Sequence, residues 1–71
     1  MRKNVQEVID GLRLHAEGQG RAIFSSDLAI EIGLKMRIVS DTLNWLVVNY
    51  PEKGVRRKKY NNCKYLYWYE E

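Results

Sequence analysis

Cysteine, proline, histidine and phenylalanine each occur only once in these 71 residues. With Cys63 alone, no internal disulfide can form and no set of thiols can hold zinc. His15, the one histidine, has no converging partners for a nucleophilic or metal site and reads as a surface residue. Carboxylates are scattered without a paired spacing, and no phosphate-binding glycine loop is present. No enzyme, metal or cofactor is therefore expected. Long apolar runs are also missing, since none approaches the roughly 20 residues that cross a bilayer. The start, Met1-Arg2-Lys3, leads into charged amphipathic sequence instead of an apolar leader. These absences suggest a single reduced, cytoplasmic domain spanning 1–71, with no membrane partner.

Charge is abundant but uneven. Residues 1–34 carry four basic and five acidic side chains, whereas residues 35–69 carry eight basic and two acidic ones. A basic second half is what a polyanion binder presents. The plainer alternative is a globular domain with a lysine-rich hairpin.

Asn4 with Glu7 predicts a capped helix start, and Val5, Val8, Ile9, Leu12 and Ala16 fall on one helical stripe. Gly18 and Gly20 are expected to stop this helix. Arg21-Ala22-Ile23-Phe24 reads as a brief strand or an extended connection. Ser26 is expected to cap a second helix whose Leu28, Ala29 and Ile32 face inward, and Gly33 marks a turn. Leu34 should pack between that helix and the next. A third helix is predicted over 35–49, with Met36, Val39, Leu43, Leu46 and Tyr50 as its core stripe and Ile38, Thr42 and Trp45 beside it. Arg37, Ser40, Asp41 and Asn44 lie on its opposite face, and Pro51 ends it. The remainder predicts a hairpin over 55–69: Val55 to Tyr60, a two-residue turn at Asn61-Asn62, then Cys63 to Tyr69. That register pairs Val55 with Trp68 and Arg56 with Tyr67. It puts Val55, Leu66 and Trp68 on the core face, and Tyr65, Tyr67 and Tyr69 on the outer one.

Leu28-Ala29, Gly33-Leu34, Val39-Ser40, Leu43 and Leu46, followed by Gly54-Val55 and a basic strand, make up a recurring pattern. In it the chain resembles the winged helix-turn-helix superfamily over nearly its full length, and in particular small regulators of archaea and their viruses. The resemblance implies an α+β fold of three helices, a short strand and a C-terminal hairpin, the wing. It also implies a duplex DNA-binding transcription regulator, located at the nucleoid. The third helix would read the major groove, and the wing would contact the backbone or the minor groove. Lys35 departs from the serine or threonine usual at the start of that helix. Asp41 is a carboxylate where polar or basic residues are common.

Arg37, Ser40, Asp41 and Asn44 are the base-reading candidates. Arginine suits guanine O6 and N7, asparagine suits adenine N6 and N7, and a carboxylate suits cytosine N4. The other reading of these four is a solvated polar face. Arg21 and Lys35 are candidates for flanking phosphates, as are Ser25 and Ser26 at a helix N-terminus, although Ser26 also suits plain capping. Arg56, Arg57, Lys58, Lys59, Tyr60 and Lys64 are the hairpin candidates. Their alternative role is edge protection, and the hairpin tyrosines serve equally as strand formers or stacking platforms. Leu14 and Ile30 point away from their helices' core stripes and are candidates for self-association, as in a homodimer, or for a protein partner. The second function class is accordingly a protein-interaction module within a larger assembly. No small-molecule effector follows from the sequence.

Overall fold

A computed structural model describes residues 4–71; Met1, Arg2 and Lys3, read above as a charged start, lie outside them. Helix α1 runs Val5–His15, α2 Ser25–Ile32 and α3 Met36–Asn49. The first stripe folds as its spacing requires, with Val8, Ile9, Leu12 and Ala16 buried. The cap at Asn4 differs from expectation. Its backbone is left-handed (φ 69°, ψ 8°), and its side-chain amide donates to the Glu7 carboxylate at 3.0 Å instead of serving a backbone amide. Nor are the glycines needed to end α1, which stops at His15. Ala16 leaves helical geometry (φ −142°) while its amide still bonds the Leu12 carbonyl. Its own carbonyl accepts from the Tyr69 amide at 2.8 Å, so the end of the hairpin terminates the helix.

Gly11 reveals how closely α1 and α2 approach. A methyl group there would overlap Ile32 Cγ2, so only glycine fits without moving the Ile32 side chain. Phe24, with extended backbone, precedes α2 at the cap position, and Ser26 lies inside the first turn. The capping role expected of Ser26 is therefore absent, because the helix starts at Ser25 with Phe24 at the cap position. Gly33 closes α2 in the left-handed region (φ 71°, ψ 30°), where glycine avoids the strain of a Cβ. Leu34 then packs against the core, and its amide bonds the Ala29 carbonyl at 3.1 Å.

Lys35 stands at the N-cap of α3, and Val39, Leu43 and Leu46 are buried. Two members of the expected stripe are not. Met36 is 57% exposed, because the first turn borders an open groove, and Tyr50 lies beyond the helix end with its ring 5.0 Å from Trp45. Thr42, only 3% exposed, stands between Val39 and Leu46 on the inward face instead.

Strands β1 (Ile23–Phe24), β2 (Val55–Lys59) and β3 (Tyr65–Tyr69) form an antiparallel sheet in the order β1-β3-β2. The hairpin register is shifted by one residue from expectation: Val55 pairs with Tyr69, Arg56 with Trp68, Arg57 with Tyr67 and Lys58 with Leu66. The cause lies in the loop. The Tyr60 and Asn61 amides both reach the Lys64 carbonyl, and Asn61 Oδ1 accepts the Cys63 amide at 2.9 Å. Asn61–Cys63 thus forms a three-residue connection. One extra loop residue exchanges the faces of β3 relative to β2. Tyr67, expected on the outer face, shares Val55's face and is 2% exposed, while Leu66 lies opposite with Lys58 and is half-buried.

A single apolar cluster joins all three helices to the hairpin through Val8, Leu12, Leu28, Val39, Leu43, Leu46, Val55 and Tyr67. The protein is a small α+β domain of three helices and a three-stranded antiparallel sheet. Among the described residues, no helix is long and apolar enough to cross a membrane.

Candidate nucleic-acid interface

The hairpin cations divide into two kinds. Arg56 and Arg57 are half-buried and bonded within the fold. Arg56 Nη1 donates to the Pro51 carbonyl at 2.7 Å and lies 3.3 Å from the Val55 carbonyl. Arg57 Nη1 donates to Asn44 Oδ1 at 2.9 Å, and its guanidinium lies 4.5 Å from the centre of the Tyr65 ring. Lys58 and Lys59, the next two residues, are exposed. The first pair fastens the hairpin base to the turn after α3, through Pro51, and to the middle of α3, through Asn44. The second extends beyond that anchorage, where anionic ligands have access.

Asn44 is the meeting point of helix and hairpin. Its Oδ1 also receives the Tyr67 hydroxyl. Burial raises the pKa of that phenol above its ordinary value, opposed by the nearby Arg57 charge. Tyr67 therefore stays protonated at neutral pH, as a donor to Asn44 must. With both lone-pair sites of Oδ1 occupied, Asn44 cannot make the bidentate adenine contact expected of it, which requires a free acceptor as well as a donor. Arg56 and Arg57 likewise each commit their Nη1 to a bond within the fold.

Beside this junction lies a groove of about 320 Å³ between the start of α2, one flank of α3 and the hairpin tip. Ser25, Ser40, Asn44 and Lys64 come together there, with Phe24, Met36, Tyr65 and Tyr67 as apolar walls. Phe24 holds the tip in place: the Tyr60 ring meets it edge-on at 5.0 Å, and Lys64 Nζ sits 5.3 Å from its centre. Sequence reasoning missed this use of Phe24. The available signal was the chain's one phenylalanine, placed directly before a helix start.

Lys35, Arg37 and Asp41 are exposed at the start and along the outer face of α3, and Ser40 is half-buried on the groove side. Arg21 stands elsewhere, in a shallow cleft with Asp10, Arg13, Leu14 and Glu17. The cleft holds two carboxylates and two guanidinium groups, so its charges balance. Leu14 and Ile30 are 70% and 78% exposed, on α1 and α2. Cys63 is exposed in the hairpin loop, and His15 is half-buried. Among the described residues, no group of three or more His, Cys, Asp or Glu side chains gathers to hold a metal ion.

No family model, curated protein or solved structure matches this chain.

Proposed function

We propose that this protein is a winged-helix DNA-binding domain acting as a transcription regulator, with α3 in the major groove and the hairpin as a wing on the backbone or minor groove. The observation that carries this reading is the bonded junction of Arg57, Asn44 and Tyr67, which fixes a basic hairpin against a polar helix face. A duplex reader needs that rigidity, because two contact elements must match the spacing of a groove and its flanking phosphates. Fourteen residues give α3 a length of about 21 Å, enough to lie along a major groove. Lys35, Arg37, Lys58, Lys59 and Lys64 supply exposed positive charge. One short domain reads few base pairs, so useful specificity calls for two copies on two half-sites. The expected setting is the nucleoid in the cytoplasm.

Fluorescence anisotropy with random duplex DNA at two salt concentrations, and a single-strand control, tests the proposal. Micromolar or tighter duplex binding is expected. With about four to six phosphate contacts, log K should fall against log salt with a slope of roughly −4 to −5. Absence of duplex binding at low salt would overturn the proposal.

The exposure of Leu14 and Ile30 on the acidic half, together with Asp41 on the outer face of α3, favours the second reading, a protein-interaction module. Under it, Leu14→Glu or Ile30→Glu abolishes partner binding and duplex DNA has no effect.

A further inference from the structure

The orientation of the Asn44 amide carries a consequence for base selection, conditional on the DNA-binding reading above. A guanidinium only donates, so the Asn44 atom 2.9 Å from Arg57 Nη1 must be the oxygen. The Tyr67 hydroxyl donates to the same atom. The other end of the amide is consequently Nδ2, a pure donor. Among the described residues, every buried side-chain nitrogen or oxygen has a partner. Nδ2 has none among the described residues, so solvent reaches it, and Asn44 lines the groove beside α3.

We infer that Asn44 is a donor-only specificity residue that selects guanine over adenine at one position of the bound site. Guanine offers two adjacent acceptors in the major groove, N7 and O6. Adenine offers one acceptor and an N6 donor, which opposes the Asn44 donor. The usual asparagine preference is thereby reversed, and the hairpin brings about the reversal without touching the base. Arg57 and Tyr67 act as positioning residues, because they hold the amide in one of its two flip states.

Site selection from a random duplex library, with the wild type and Asn44→Asp, tests this. The carboxylate of Asn44→Asp still accepts from Arg57 and Tyr67, so the junction is kept while the donor is removed. The wild type should prefer guanine over adenine at one position by about 5- to 10-fold. Asn44→Asp should lose that preference or move it toward cytosine, whose N4 donates. Base ratios are compared, since the added negative charge weakens binding to every sequence. A second measurement needs no variant. Replacing the selected guanine by 7-deazaguanine should weaken wild-type binding, and replacing it by inosine, which keeps N7 and O6, should not. If the wild type binds duplex DNA but Asn44→Asp keeps the same preference at every position, or deazaguanine changes nothing, the donor role is wrong while DNA binding stands. If the wild type binds no duplex at all, both fall.

Discussion

Arg56-Arg57 and Lys58-Lys59 are adjacent pairs on one strand, identical in charge, yet the fold uses them oppositely. The first pair lies near the hairpin base, where the carbonyl of Pro51, the amide oxygen of Asn44 and the ring of Tyr65 are within reach. Two residues on, where the strand pairs with Leu66 and Tyr65, the lysines are exposed. A run of four cations is therefore half structural brace and half exposed charge. The difference also suits the side chains. Arginine's planar fork bonds directionally and stacks on rings, whereas lysine is a hydrated point charge on a flexible stem. Counting positive residues alone overstates the charge free to meet an anion.

Three variants sharpen that contrast. The largest effect is expected from Lys58→Ala combined with Lys59→Ala. Each lost phosphate contact weakens duplex binding by about 8-fold at 0.1 M salt, so the pair should cost roughly 60-fold and reduce the salt slope by about 2. Thermal unfolding of this double variant should match the wild type, and a loss of stability would mean that the lysines also brace the fold. Arg57→Ala should show the reverse pattern. It removes a charge-assisted hydrogen bond and a ring contact, so denaturant unfolding should reveal a loss of about 1–2 kcal/mol, with the salt slope little changed. Tyr67→Phe is milder, at about 1 kcal/mol, since Arg57 remains on Asn44.

Tyr67 also gives the contrast a pH signature. Its folded pKa is raised above 10.0, chiefly by burial. The folded state thus holds the phenolic proton more tightly than the unfolded chain does. The resulting stability is fully present below pH 10 and is lost as pH rises through the folded-state value. Equilibrium unfolding followed from pH 8 upward should show this alkaline loss in the wild type and a smaller one in Tyr67→Phe. Equal slopes would assign the loss to other groups.

The helices were legible in the sequence because the centre of each apolar stripe keeps helical spacing, although the ends of the third stripe, Met36 and Tyr50, are exposed. Val8, Ile9 and Leu12, and again Val39, Leu43 and Leu46, repeat at helical spacing and are buried. The hairpin was legible as a hairpin but not in its register. Every residue of Tyr65-Leu66-Tyr67-Trp68-Tyr69 is apolar or aromatic, so alternation carries no phase, and the side chain of one loop residue, Asn61, fixes the pairing. The site followed the same rule. Exposure of Lys58 and Lys59 follows from local charge, whereas the bonds of Asn44 depend on residues 13 and 23 positions away. Ser26 failed as a cap for a local reason: both Ser25 and Ser26 suit that position, and the helix starts at Ser25 with Phe24 before it.

The most direct test of the central claim, that α3 and the hairpin together form a duplex DNA-binding face, is a ¹⁵N amide chemical-shift titration with a duplex. The account predicts that the shifted amides gather at residues 35–44 and 58–64, with those of residues 10–14 and of Ile30 unmoved. Shifts centred on Leu14 and Ile30, or none at low salt, would contradict it.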